Sequence, residues 1–148
     1  MTPTRSGRQA HKNYRIYRAG DGRLHCEAVP AGDLFFPSYP VRHIPVHSPT
    51  GFEIGYGGSG PSDLALAILA DWTGDPVAEV HAGRGRAAEH YQQFKWVFLS
   101  SQRLDKGDAL TIPGRAVAEF LLEMERDAPA LLFPAAVPAR ASVHNDLG

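Results

Sequence analysis

The sequence predicts an α+β domain, in which a small, mostly antiparallel sheet packs with two or three helices. Three observations favour this class: two alternating segments near the start, one strongly apolar helical segment in the middle, and no regular alternation of strand and helix. The chain has 148 residues, which suits one compact domain. We expect a flexible basic arm over residues 1–12, the domain over residues 13–127 and an Ala/Pro-rich C-terminal extension over residues 128–148.

The first predicted element of the domain is a β-hairpin over residues 13–30. Tyr14, Ile16 and Arg18 alternate with their neighbours as in a strand. The sequence AGDG at residues 19–22 supplies the turn, because glycine and aspartate tolerate positive φ. The second half of the segment then returns as the partner strand.

Proline is frequent in the next segment, residues 32–49, which contains four of them. Because each proline removes a backbone donor and fixes φ, this segment predicts a loop or an interrupted edge strand. The sequence GFEIGYG at residues 51–57 alternates well enough to predict a short strand that leads into a glycine-rich loop.

A buried helix is predicted over residues 61–72. Pro61 suits the first turn of a helix, where its missing N–H would lack a partner. The segment is apolar on nearly every face, and a helix of this kind lies in a core. Gly74 and Pro76 end it. We therefore expect this helix to be the central element of the domain.

A second helix and a strand are predicted next. The helix covers residues 86–93. The sequence FKWVFLS at residues 94–100 alternates as in a strand, with Phe94, Trp96 and Phe98 on one face.

The last predicted helix spans residues 113–126, with Glu119 and Glu123 on the face toward water. This acidic face is a candidate docking site for a basic surface of a partner protein. The N-terminal arm offers a second set of candidate partner contacts, which are Arg5, Arg8 and Lys12.

Charge and cysteine content narrow the classes of function. The formal net charge is −1, which argues against bulk electrostatic capture of nucleic acid or of an anionic membrane. The basic arm is only a weak signal for direct nucleic-acid binding. Cys26 is the only cysteine, so no intramolecular disulfide can form, and no apolar run is long enough for a membrane span. We expect a cytoplasmic protein.

The first glycine loop begins at Gly55 and ends at Gly60, in front of the predicted buried helix. Its candidate ligand contacts are backbone N–H groups, since such a loop can present them to an anion at a helix N-terminus; the residues are Gly57, Gly58, Ser59 and Gly60. The loop lacks the lysine and the placed hydroxyl of a phosphate loop, and Asp63 would repel a phosphate. The favoured interpretation is a tight strand-to-helix turn, in which one of the glycines at positions 57, 58 and 60 has positive φ or lies against a neighbouring backbone.

The second glycine loop begins at Gly83 and ends at Arg86, ahead of the next predicted helix. It places Arg84 and Arg86 beside backbone N–H groups, which together suit an anion. A flexible solvated turn is the competing interpretation. If both glycine loops face the same side, they could hold a nucleotide between them.

Other candidate chemistry is weak. His43 and His47 flank Pro45, which prevents a helix, and on a strand they would lie about 13 Å apart, too far to share a zinc ion. Cys26 is expected to be a core thiol rather than a nucleophile. No spacing typical of a catalytic pair is evident, so we expect no metal and no cofactor, and an enzyme is the least favoured class.

The sequences HSPTGFEIGYGGSGPSDLALAIL and YQQFKWVFLS resemble a family of small uncharacterised proteins from bacteria, phages and plasmids, which carry the GYGGSGP motif between a strand and a helix. The resemblance covers about residues 45–100. It implies a mobile-element setting, in which small single-domain proteins often inhibit host defence by binding. The resemblance carries no assigned activity to this chain.

Three function classes stay open. The favoured one is a non-enzymatic protein that binds a host protein or complex, for example an anti-CRISPR inhibitor of a defence system. The alternative is a nucleotide- or phosphate-binding protein that uses the two glycine loops. An enzyme of unrecognised type is the third.

Overall fold

The computed structural model describes residues 12–32 and 35–131, and these form a four-stranded antiparallel sheet with four helices. The predicted α+β class is confirmed. The elements in chain order are β1 (Lys12–Arg18), β2 (Leu24–Pro30), β3 (Tyr39–Pro40), α1 (Ser59–Thr73), α2 (Val77–His81), α3 (Arg86–Phe98), β4 (Ala109–Pro113) and α4 (Gly114–Leu131). None of the helices in this part of the chain is both long enough and apolar enough to cross a membrane.

The sheet has the strand order β3-β2-β1-β4. Its central strand, β1, pairs with β2 as the predicted hairpin, and Tyr14 lies opposite both Ala28 and Ile112. These three side chains are buried, because one face of the sheet packs against the helices. β4 was not predicted: it has five residues, and only Ile112 among them is buried. Such a short edge strand leaves little period-2 signal.

Helix α1 is the central element of the core, as predicted. Leu64 and Ile68 are fully buried, and Trp72 is nearly so. The helix ends at Gly74, which has a φ of 79° and donates its N–H to the carbonyl of Ala70. Glycine suits this position because a side chain is strained in the left-handed region.

The predicted strand over residues 94–100 is wrong, since α3 continues to Phe98. Phe94 and Phe98 are four residues apart, and on a helix they share the face that packs against Phe120. Trp96 instead faces solvent. The alternation of aromatic residues resembles a strand period, but the burial follows the helical period.

The segment between β2 and α1 is mostly irregular. The predicted strand over residues 51–57 is reduced to a single bridge, between Phe52 and Leu24. The prediction of an interrupted edge strand among the prolines is confirmed by β3, which has only two residues. Prolines confine pairing to this short stretch.

Lys12 corrects the predicted boundary of the basic arm, because it is the first residue of β1 and its side chain is buried. Its ammonium contacts the carboxylate of Asp71 at 3.0 Å and donates to the hydroxyl of Tyr39 at 2.8 Å. A lysine needs such partners when it leaves water. Lys12 is therefore a structural residue rather than a partner contact. The predicted extension over residues 128–148 begins inside α4, which continues to Leu131, and the rest of it lies outside the described residues, as do Arg5 and Arg8.

Candidate functional site

At three glycines of the first glycine loop, neighbouring atoms lie so close to the backbone that a Cβ would overlap them. A Cβ on Gly60 would lie 2.9 Å from the backbone nitrogen of Glu53, which confirms the predicted close approach. A Cβ on Gly57 would overlap the ring of Trp96, and one on Gly58 the ring of Tyr56. None of these three glycines has positive φ; only Gly55 in this loop does, at 89°. The loop is therefore a tight turn, as favoured from the sequence.

The first glycine loop is hydrogen-bonded to a buried lysine. Lys95 of α3 is 4% exposed and donates to the carbonyl of Gly57 at 2.9 Å and to the hydroxyl of Ser62 at 3.3 Å. It has no carboxylate partner among the described residues. Burial lowers the pKa of Lys95, because removal from water disfavours the charged form. The sequence argument missed this lysine, since it lies 38 residues from Gly57 in a segment predicted as a strand.

Two aromatic rings at the loop face solvent, and we call them the aromatic surface: Tyr56 of the loop itself and Trp96 of α3, whose ring lies against Gly57. Their residues are 48% and 47% exposed. The Trp96 ring lies 4.8 Å from the Lys95 ammonium, a cation–π distance. Both rings lie against glycine backbone, so their positions are set by the loop.

Asp63 is fully buried and organises the proline-rich segment ahead of the loop. Its carboxylate accepts hydrogen bonds from the backbone N–H groups of His47 at 2.9 Å and Ser48 at 3.0 Å. A third contact, at 2.9 Å, joins it to Nε2 of His43. The carboxylate therefore ties residues 43–48 to α1. The pairing of His43 with Asp63 was not predicted, because irregular backbone carries no periodic signal of contact across 20 residues.

A cleft of about 490 Å³ opens between the edge of β2 and the start of α1. His43, Glu53 and Ser59 line it, together with the thiol-bearing residue Cys26. Cys26 itself is buried among the core residues, and burial raises the pKa of its thiol. Arg18 holds the Glu53 carboxylate at 2.7 Å and lowers its pKa. In the described part of the chain, no group of three or more His, Cys, Asp or Glu side chains could hold a metal ion.

The second glycine loop does not lie beside the first. Lys95, near the end of α3, reaches the start of α1, whereas the N–H of Ala87, at the start of α3, donates to Asp75 just after α1. The two helices are thus antiparallel, and the loops lie at opposite ends of α1, about 20 Å apart for a helix of this length. The hypothesis that both loops hold one nucleotide between them is therefore wrong, because the loops do not face each other.

The arginines of the second loop are already paired. Arg84 contacts Glu79 at 2.6 Å, and Arg86 contacts Glu125 of α4 at 2.5 Å. Each carboxylate accepts hydrogen bonds from Nε and Nη2 of its arginine and so balances the charge that would attract an anionic ligand.

The acidic residues predicted as partner contacts lie on α4. Glu119 and Glu123 are exposed, as predicted, and Glu123 lies 3.6 Å from Arg126 on the same helix. A charged helix face of this kind interacts with water and with its own neighbours.

A family model described as "Family of unknown function (DUF6166)" matches residues 14–123, which is most of the chain. The matched span includes all of the sheet except the first two residues of β1, together with the first glycine loop and all of α3. No curated protein and no solved structure matches the chain.

Proposed function

The chain belongs to this family of unknown function, and we propose that it is a small non-enzymatic protein that acts by contact with another protein. The observation that carries the proposal is the aromatic surface. Tyr56 and Trp96 are each about half exposed although they are fixed on a buried framework. Tyrosine and tryptophan supply much of the binding energy in protein interfaces.

The rings are held in place before any partner arrives. The backbone of Gly57 and Gly58 lies against them, and Lys95 fixes that backbone through the carbonyl of Gly57. A side chain that is already ordered loses less conformational entropy on binding. We therefore expect this protein to bind its partner with a preformed, rigid surface and not with a segment that becomes ordered on binding.

The proposed setting is a mobile genetic element, with the protein in the host cytoplasm as an inhibitor of a defence system such as CRISPR. The support is the resemblance of residues 45–100 to proteins carried by phages and plasmids. Both rings of the aromatic surface lie in that stretch. The nucleotide-binding alternative loses its main support, since Arg84 and Arg86 are each paired with a carboxylate.

A phage-plating assay tests this proposal. The protein is expressed in cells that carry one active defence system at a time, and the plating efficiency of a restricted phage is measured. We expect restoration of plating by the wild-type protein in one of these strains, with loss of that effect in Trp96→Ala and Tyr56→Ala.

The matched control is Phe35→Ala, which removes an aromatic side chain that is 83% exposed and lies outside the aromatic surface. We expect this variant to act as the wild type does. Equal activity of Trp96→Ala and the wild type would remove the aromatic surface from the proposal. Failure to restore plating in every strain would contradict the proposed anti-defence role.

A further inference from the structure

We propose that the cleft between β2 and α1 receives an acidic loop of the partner protein, and that Arg23 pairs with a carboxylate of this loop. The inference rests on the proposed protein–protein contact and adds the chemistry of the partner. Tyr56 connects the two, because its half-exposed ring belongs to the aromatic surface and the residue also lines the cleft. A partner that contacts Tyr56 therefore lies next to the cleft as well.

The charges that line the cleft leave one cation without an opposite charge. Three arginine or carboxylate side chains line it, and they are Arg23, Glu27 and Glu53. Glu27 contacts Arg15 at 3.4 Å, and Glu53 contacts Arg18 at 2.7 Å. The Arg23 guanidinium has no carboxylate partner within the described part of the chain. The unbalanced charge of the cleft is therefore positive.

The two histidines of the cleft already have partners inside the protein. Nε2 of His43 contacts the buried carboxylate of Asp63 at 2.9 Å. The ring of His25 stacks on that of Tyr17, with 5.2 Å between the centroids. Arg23 is thus the side chain of the cleft that is best suited to pair with a carboxylate from outside.

The backbone of Arg23 is held in place by the turn between β1 and β2. Its N–H donates to the carboxylate of Asp21 at 2.9 Å, and its carbonyl accepts the N–H of Ala19, also at 2.9 Å. The side chain itself is exposed. A guanidinium is planar and can donate two parallel hydrogen bonds to one carboxylate, which makes arginine well suited to this group.

The lining favours one carboxylate beside an apolar side chain rather than a polyanion. A phosphate monoester carries about two negative charges at neutral pH, and a nucleic acid carries one for each phosphate. A single arginine does not balance these charges, and Glu27 and Glu53 also line the cleft. The rings of Tyr17, Phe52 and Tyr56 provide apolar surface there, and the volume of about 490 Å³ lies in the range of ligand sites.

A titration with two capped peptides tests the proposal. The acidic peptide, acetyl-Gly-Phe-Glu-Ala-Gly-amide, has one carboxylate next to an aromatic ring, and the neutral peptide has glutamine in place of glutamate. We expect the acidic peptide to shift the nuclear magnetic resonance signals of the His25, Gly51 and Tyr56 amides, which line the cleft, and to bind about ten-fold more tightly than the neutral peptide. Equal affinities, or no shift of these signals at millimolar peptide, would overturn the proposal.

Arg23→Gln and a matched control locate the effect. We expect the acidic and neutral peptides to bind Arg23→Gln equally. Arg115→Gln changes the net charge by the same amount, and Arg115 is also exposed and does not line the cleft. Arg115 follows Gly114, whose N–H donates to Asn13 at the opposite end of β1 from the turn that holds Arg23. We expect Arg115→Gln to keep the ten-fold preference. Equal losses in both variants would show attraction by overall charge and would overturn the proposal.

Other occupants of the cleft would give other results. Sodium acetate that binds as tightly as the acidic peptide would indicate a site for small carboxylates, and cleft signals that shift with protein concentration alone would indicate a second copy of the chain. Either result would overturn the proposal. Preference for the acidic peptide without restoration of phage plating would contradict the anti-defence role and support the acidic partner. Restored plating without this preference would support the role and overturn the inference.

Discussion

Two glycine loops lead into helices α1 and α3, and their surroundings differ. The first, residues 55–60 at the start of α1, contacts a buried lysine that has no carboxylate partner in the described chain, and the exposed rings of Tyr56 and Trp96 lie against it. The second, residues 83–86 before α3, has an ion pair on each arginine. Its helix start is satisfied by Asp75, whose carboxylate accepts the N–H of Ala87 at 2.9 Å.

This difference shows that glycine content alone does not make a binding loop. A loop can bind a ligand or partner only when neighbouring side chains have not already satisfied its hydrogen-bond donors and charges. At the second loop, neighbouring carboxylates already pair with both arginines and with the N–H of Ala87. At the first loop the backbone is tightly packed, but its rings and the start of α1 remain open to other molecules.

The largest expected effect comes from the carboxylate near each loop. Asp63→Ala leaves two backbone N–H groups and His43 without their acceptor in a buried place, so we expect a loss of about 3–5 kcal/mol in the free energy of unfolding. Asp75→Ala removes one acceptor at a half-buried helix start and is expected to cost about 1 kcal/mol. Urea denaturation measures both. Equal losses would mean that the two ends of α1 are held alike.

The glycines themselves sharpen the comparison, because each is needed for a different reason. Gly60→Ala places a Cβ against the backbone of Glu53, and overpacking of this kind costs about 1–3 kcal/mol. Gly83→Ala meets no described atom within 4 Å, but its φ of 77° costs about 1 kcal/mol.

Asparagine at the same two positions separates these causes. It tolerates the left-handed region, so Gly83→Asn should be more stable than Gly83→Ala. At position 60 the asparagine side chain is larger than that of alanine, so the Gly60→Asn variant should be less stable than Gly60→Ala. Thermal denaturation of the four variants gives the order, and a common ranking at both positions would contradict the explanation.

The fold could be predicted where one short stretch carries the whole signal. Helix α1 is apolar around its circumference and is stopped by Gly74, and the hairpin alternates on either side of a glycine turn. The end of α3 could not be predicted, because its aromatic residues alternate with the period of a strand. The helix is favoured there by the packing of Phe94 and Phe98 against Phe120 of α4, which the local sequence does not show.

The candidate site depends on contacts that the sequence does not display. Lys95 reaches Gly57 only because α3 runs antiparallel to α1, and His43 reaches Asp63 only because the prolines turn an irregular segment back onto α1. Neither contact leaves a local pattern. By contrast, the tight turn at Gly60 could be predicted, since a run of glycines before a helix signals close backbone approach.

The pH dependence of stability is a smaller effect that distinguishes the loops. Burial lowers the pKa of Lys95 below its ordinary value of 10.5. The unfolded chain therefore binds more protons than the folded chain between these two pKa values, and the free energy of unfolding rises with pH in that interval. Lys95→Met removes this contribution, so we expect the wild type to gain stability relative to the variant as the pH approaches 10.5. Arg86→Met is the control; Glu125 raises the pKa of Arg86, so no such gain is expected.

The smallest expected effect is at the second loop, and it tests whether that loop binds anions. The ion pair of Arg84 with Glu79 is exposed, and exposed pairs add little stability, so Arg84→Ala should melt as the wild type does. Arg86→Ala breaks a half-exposed pair that joins α3 to α4 and is expected to cost about 0.5 kcal/mol. Because both guanidiniums are engaged, neither ATP nor inorganic phosphate should raise the melting temperature of the wild type. A rise that disappears in Arg84→Ala would show that an anion displaces Glu79, and the second loop would then be the binding loop of the two.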